Sequence, residues 1–364
     1  MPAEVYVGLM SGTSLDGVDA VVVDLAGHFP HCIATHFIPF DPALRSDVLA
    51  IQTVGANELH RAAIISNQLA DLYAEAVNGL LASAGIPAAE VRAIGCHGQT
   101  VRHVPVAGYT LQLGNPARLA ERTGIPVVAD FRSRDIAAGG QGAPLVPAFH
   151  DTVFRTDTVH RIILNIGGIA NITNLAPMRP TSGFDSGPGN MLLDAWAAKQ
   201  LGKPWDENGN WASTGTPIPR LLDQLRAHPY FTTPPPKSCG REEFGMAFLE
   251  DRIDTAWQTA DVQATLIALT ASSVADAIRR WCAPPDELFV CGGGAHNRSL
   301  MKALQETLPE CTVDVTDVLG LPADWVEAVA FAWLAQRTLH QLPGNLPAVT
   351  GAEGPRVLGA IYPA

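Results

Sequence analysis

The sequence predicts an α/β protein in which one unit is used twice. Three observations carry that prediction. Two apolar runs rich in Val and Ile flank a small-residue turn within GLMSGTSLDGVD at 8–19, and the pattern returns around NIGGIAN at 165–171. Runs of this length about a glycine-centred turn read as β-hairpins. After each hairpin, strand-like runs alternate with helical stretches, the signature of an α/β layer. Finally, 364 residues exceed one typical core and suit two domains, placed here at 1–155 and 156–364.

In the first domain, residues 4–9 enter the first turn and 18–25 leave it. Residues 59–84 carry Ile64, Ile65, Leu69, Leu72, Ala76 and Leu80 at helical spacing, and Gly85 with Pro87 supplies the stop. Residues 91–96 and 110–113 read as short strands. Asn115 caps and Pro116 opens a helix that Gly124 closes, and 125–129 is a strand again. In the second domain, 161–166 and 169–175 flank the turn. Pro188 opens a helix that runs to Leu201 and ends at Gly202. A long amphipathic helix covers 262–281, strands cover 287–291 and 312–315, and the last strong helix covers 325–340. Residues 205–241 are rich in Pro, Gly, Thr and Asn and read as an insertion, because Thr232-Thr-Pro-Pro-Pro236 fits neither helix nor central strand.

Composition excludes several classes. A formal charge of −12 argues against nucleic acid, whose phosphates need a basic surface. The six cysteines form no C-x-x-C and read as reduced, buried thiols. The first residues have neither a basic n-region nor an apolar h-region, and no apolar run reaches membrane-spanning length. These features predict a cytoplasmic protein with no membrane partner.

The turns carry the chemistry. Glycine tips expose N–H groups and let a phosphate approach the backbone, and Ser11, Thr13 and Ser14 add hydroxyl donors. In the segment 287–297 a buried-type strand runs into Gly292, Gly293 and Gly294, with Asn297 as the cap of the next helix. Bare backbone there suits a nucleobase or ribose. The P-loop pattern G-x-x-x-x-G-K-[ST] does not occur, and only four of the 24 basic side chains are lysine. Phosphate must then be held by N–H groups, hydroxyls and a metal ion. Asp16 and Asp19 are the nearest carboxylates for that ion, although Asp16 suits equally a turn residue bonding its own backbone. Asp185, just ahead of the helix that Pro188 opens, is read as an anion stabilised by the helix N-terminus, as a base or as a cap.

The two hairpins and the triple-glycine segment resemble the phosphate-1, phosphate-2 and adenosine elements of the sugar kinase/Hsp70/actin superfamily. With HGQT at 97–100, ADFRSRDIAAGGQGAPLVPAFH at 129–150, FDSGPGN at 184–190 and CGGGAHN at 291–297, the chain resembles the anhydro-N-acetylmuramic acid kinase family from about residue 8 to the helix near 324–340. The resemblance implies a two-domain actin-like ATPase (ribonuclease H-like) fold with a central nucleotide cleft. It implies ATP-dependent opening and phosphorylation of 1,6-anhydro-N-acetylmuramic acid in cell-wall recycling, with Mg²⁺, in a homodimer. It makes Asp185 the catalytic base and gives ATP to Ser11, Gly12, Thr13, Ser14, Asp16, Gly167, Gly168, Gly292, Gly293, Gly294 and Asn297. His97, Gln99, Thr100, Arg132, Asp135, Gln141 and Glu327 are expected at the sugar. An arginine suits the lactyl carboxylate through a two-pronged hydrogen bond, and Arg132, Arg134 and Arg118 all qualify. Leu9 stands where many superfamily members carry a metal-linked Asp. The rival class is an ATPase whose output is a conformational change, and it is distinguished by whether a small sugar stimulates ATP turnover.

Overall fold

A computed structural model describes residues 3–12, 15–240 and 242–364. The chain forms two compact units. Unit 1 comprises residues 1–153 and 325–364, and unit 2 comprises residues 154–324.

Unit 1 begins with β1 (Val5–Met10), β2 (Gly17–Asp24) and β3 (His31–Pro39), an antiparallel meander. β4 (Val91–Cys96) then lies parallel to β1 on its other side. β5 (Gln99–Val104) and β6 (Tyr109–Leu113) form a separate hairpin, and β7 (Val127–Ala129) continues the main sheet parallel to β4. Helix Glu58–Ala84 covers the sheet through Ile65, Leu69, Tyr73, Val77 and Leu80. Of the predicted face Ile65, Leu69, Ala76 and Leu80 are buried and Leu72 is half-buried, while Ile64 is exposed and Tyr73 is fully buried.

Unit 2 repeats the plan. β8 (Arg161–Ile166), β9 (Ile169–Leu175) and β10 (Ser182–Pro188) are antiparallel, and β11 (Glu287–Cys291) with β12 (Thr312–Val315) continues parallel beyond β8. Numbered along each unit, the unit 2 sheet reads 3-2-1-4-5, and the unit 1 sheet has the same order with one further strand beyond the fifth. That shared order is the duplication, and it is the ribonuclease H-like plan of the actin-like ATPases. Among the described residues, no helix is long and apolar enough to cross a membrane.

Three expectations are corrected. The second domain does not run to residue 364. Helix Val326–Leu339 packs on β1 and β4 of unit 1, and β13 (Ala360–Tyr362) pairs with β7. The contact is close enough that a Cβ on Gly8 or Gly95 would overlap the Ala328 or Phe331 carbonyl. Glycine inside a strand marks such a close approach of helix backbone. Second, Pro188 ends a strand and does not open a helix; the helix is Asn190–Leu201. Third, residues 205–241 are no mere insertion. They include helix Pro219–Arg226, and Leu221, Leu225 and Tyr230 belong to the buried core of unit 2.

Candidate active site

In unit 1, β4 delivers His97 and Gly98 at its C-terminal end. Gly98 has φ +74°, and a Cβ there would lie 2.8 Å from the Leu113 carbonyl oxygen, so glycine is required. His97 is buried against Phe331. Its Nε2 accepts hydrogen bonds from Arg132 Nε at 3.3 Å and Nη2 at 2.9 Å. Burial first, and the neighbouring guanidinium second, push the imidazole down to about 3. His97 is therefore a neutral acceptor at physiological pH and serves to orient Arg132.

Arg132 also donates through Nη1 to the Gly142 carbonyl at 2.8 Å. Burial pulls its pKa down to about 10, with Glu327 and Asp135 acting in the opposite direction. Glu327 is half-buried in the first turn of its helix. The other two arginine candidates differ in situation. Arg118 makes a two-pronged pair with Asp71 at 2.7 and 2.9 Å, and Arg134 is exposed. Asp135 is fully buried and holds structure together. Its Oδ1 accepts from Asn345 Nδ2 at 2.6 Å and Thr350 Oγ1 at 2.7 Å, and its Oδ2 accepts from the Gly142 N–H at 2.8 Å. Gln141 keeps an exposed side chain, while its N–H donates to the Thr350 carbonyl.

The first hairpin turn is tied to this region. Gln99 is buried and donates through Nε2 to the Gly12 carbonyl at 3.2 Å, whereas its Oε1 has no partner among the described residues. Thr100 Oγ1 accepts from Gln112 Nε2 at 3.2 Å. The Ser11 hydroxyl, expected at phosphate, faces inward: it donates to the Gly98 carbonyl and accepts from Tyr73 at 2.8 Å. Thr13 and Ser14 lie outside the described residues. Asp16 is exposed at the turn, and Asp19 is half-buried in β2 opposite Met10. No cluster of three His, Cys, Asp or Glu occurs among the described residues. An exposed carboxylate at the first hairpin turn fits Mg²⁺, which takes one or two carboxylates with substrate phosphates in preference to an all-protein cage. Beside His97 lies a cavity of about 210 Å³, lined by Tyr73, Asn115, Asp130, Ser133 and Tyr362 among others.

In unit 2 the β8–β9 turn is clamped by the next helix. The Gly167 carbonyl accepts from Asn190 N–H, and the Gly168 carbonyl accepts from Gly189 and Met191 N–H. A Cβ on Gly167 would meet nothing within 4 Å, and one on Gly168 only Met191 Cβ at 3.7 Å. The fold itself does not demand glycine at either position. Gly292 and Gly294 contrast with them. Gly292 has φ +77°, and a Cβ on either would run into Asn165 or Ile166. Gly293 is open, its nearest neighbour being Asn190 Nδ2 at 3.6 Å. Asn297 caps helix Arg298–Thr307 through Leu300 N–H at 3.0 Å, as expected.

Asp185 is on β10, not at a helix end. Burial raises its pKa to about 6, with the Cys239 N–H and the Lys237 charge opposing. The expected stabilisation of the anion is thus overridden by desolvation. Asp185 Oδ2 accepts from Cys239 N–H at 3.1 Å, and no hydrogen bond to Oδ1 occurs among the described residues. Tyr230 Oη donates to the Asp185 carbonyl at 2.8 Å, and Asp185 N–H donates to the Lys237 carbonyl at 3.2 Å. Sequence reasoning missed Tyr230, Lys237 and Cys239. Their one visible signal was a lysine in a chain with four.

Residues 4–364 match the family model described as anhydro-N-acetylmuramic acid kinase. A protein of that name from Nitrosomonas europaea is 55% identical over 361 residues, covering 99% of each chain. One from Thiobacillus denitrificans is 54% identical over 366 residues, covering 100% of this chain and 98% of the relative. A looser likeness, 12% identical with a TM-score of 0.46, is to the activator of the 2-hydroxyisocaproyl-CoA dehydratase from Clostridium difficile with bound ADPNP, covering 90% of this chain and 92% of that one.

Proposed function

We propose residue roles from one premise: the chain belongs to the anhydro-N-acetylmuramic acid kinase family. It is an enzyme that transfers phosphate from ATP to 1,6-anhydro-N-acetylmuramic acid, as its relatives are named for doing. The single observation behind the catalytic assignment is Asp185: half-buried, raised to about 6 by desolvation, and with no hydrogen bond to Oδ1 among the described residues. A carboxylate in that state is a base suited to taking a proton from water near neutral pH.

The reaction balances with one such group. Water attacks C1 and passes its proton to Asp185. The C1–O6 bond breaks with its electron pair moving to O6. O6 forms the new bond to the γ-phosphorus, and the bond from phosphorus to the bridging oxygen breaks to release ADP. The phosphoryl group takes the place that a general acid's proton occupies in ordinary glycoside hydrolysis. Most of the rate then comes from placement and charge stabilisation.

In this reading, the N–H groups around Gly12 and of Gly167 and Gly168 hold phosphate, with Thr13 and Ser14 adding hydroxyls. Ser11 contributes its backbone alone, since its hydroxyl is bonded inside unit 1. Gly292, Gly293 and Gly294 take the adenosine, and Asn297 fixes the helix behind them. Mg²⁺ would be held by Asp16 with phosphate oxygens, with Asp19 behind it in β2, and would neutralise charge on the phosphates. Arg132 takes the lactyl carboxylate, oriented by His97. Gln99, Thr100, Gln141 and Glu327 complete the sugar side, and Asp135 fixes the loop that carries Gln141. We place the enzyme in the cytoplasm as a homodimer; its six free cysteines suit a reducing compartment.

Turnover in ¹⁸O-water tests the scheme. Label is expected at the anomeric oxygen of early-trapped N-acetylmuramic acid 6-phosphate and absent from the ester oxygen. Label in free phosphate, with the anhydro ring intact, would instead make the chain a simple ATPase.

A further inference from the structure

β10 is an edge strand of its sheet, and its register breaks between Asp185 and Gly187. An edge strand presents backbone groups that no neighbouring strand satisfies. At Asp185 both of these groups are taken by one segment: its N–H by the Lys237 carbonyl at 3.2 Å and its carbonyl by Tyr230 Oη at 2.8 Å. The same segment sends Cys239 N–H to Oδ2. It is also closed on itself, because Lys237 Nζ donates to the Tyr230 carbonyl at 3.1 Å and lies 4.4 Å from the centre of the Tyr230 ring. The ring is wedged edge-on against Phe244, with centroids 5.3 Å apart. Main chain and side chain of Asp185 are thus gripped by one segment, which among the described residues leaves Oδ1 as the acceptor.

We propose that Tyr230–Cys239 is a strap that aims the Asp185 carboxylate, with Tyr230 and Lys237 as its positioning residues. Tyr230 fixes the peptide from which the side chain springs. Lys237 fixes the strap and sets a positive charge beside the carboxylate. The proposal rests on the reading of Asp185 as the base. Among the described residues, the titratable and charged groups around Asp185 are Lys237, Cys239 and Tyr230 on the strap, Glu243 just beyond it, and Arg280 of helix Thr259–Trp281, which faces Lys237. Among the described residues, the Cys239 N–H and Lys237 hold the Asp185 pKa down against burial. Loss of the lysine charge therefore lets it rise, and the acid limb of the rate profile rises with it.

The test uses Tyr230→Phe, Lys237→Met, Lys237→Arg and Asp185→Asn in the full chain, with active-site titration to count folded enzyme. Tyr230→Phe is expected to lower kcat about tenfold with KM for ATP and sugar within about twofold, the mark of a misaimed group. Lys237→Met is expected to move the acid limb of kcat to higher pH, and Lys237→Arg to bring it back. Wild-type kcat in Tyr230→Phe together with an unmoved limb in Lys237→Met overturns the strap. So does a kcat loss fully accounted for by fewer folded molecules. If Asp185→Asn is inactive while the strap variants behave as wild type, the strap alone falls. Near wild-type turnover in Asp185→Asn removes the base reading beneath it.

Discussion

Two aspartates, fully buried Asp135 in unit 1 and half-buried Asp185 in unit 2, were both expected at the site, and their surroundings differ. Asp135 meets three protein donors spread over both oxygens, from Gly142, Asn345 and Thr350. Among the described residues Asp185 meets one donor on one oxygen, and burial raises its pKa to about 6. A buried carboxylate with full partners is a structural bolt. One left a partner short is held uncomfortably as an anion and is ready to accept a proton. The comparison teaches that donor count separates chemistry from architecture.

The sharpest way to break this contrast is Asp185→Asn. Turnover should fall roughly 10³-fold or more, because an amide cannot take the proton from water. The protein should also melt higher at pH 8. A folded pKa raised from 3.8 to about 6 means that this group's stability contribution is full below about pH 4 and is lost as pH rises through 6. At pH 8 the charged form costs on the order of 2–3 kcal/mol, which the amide avoids. A variant that melts lower at pH 8 would put Asp185 in the same class as Asp135.

Asp135→Asn should behave in the opposite way. Its NH₂ must face donors whichever way it turns, so stability should drop by about 2–3 kcal/mol, a Tm fall of roughly 5–10 °C. Correctly folded molecules should keep the wild-type pH profile. A shifted acid limb would mean that Asp135 takes part in the chemistry.

The third test moves from side chains to backbone. Gly168→Val should leave Tm nearly unchanged, since its Cβ finds only Met191 at 3.7 Å. ATP affinity should weaken roughly tenfold in calorimetry, because the branched side chain occupies the place of a phosphate. Unchanged affinity would reduce 165–171 to a structural turn.

What was legible follows from locality. The β8–β9 hairpin was predicted at its observed limits because turn glycines and flanking β-branched runs are neighbours in sequence. The Asn115 cap, Pro116 and Gly124 fixed helix Pro116–Thr123 for the same reason. The charge state of Asp185 was misjudged because it depends on Tyr230, Lys237 and Cys239, between 45 and 54 residues away. Those residues sit in a proline-rich stretch whose local pattern shows no sheet to which it belongs. Likewise the periodicity of helix Val326–Leu339 gave its apolar face and not the sheet it covers. Gly8 and Gly95, each inside a strand-like run, were the overlooked sign that a helix backbone comes close there.

The return of residues 325–364 to unit 1 has a consequence for synthesis. A ribosome makes the first strands of unit 1 before unit 2, yet the helix that covers β1 and β4 comes only after unit 2. The stretch between them, all of unit 2, takes on the order of 10–30 s to translate. Unit 2, being continuous, can close as soon as it emerges. Unit 1 must wait with the Gly8 and Gly95 side of its sheet bare, so the half made first is the half finished last. A holdase that shelters apolar strands during that interval should raise the yield of active enzyme, and it should do nothing for unit 2 expressed alone.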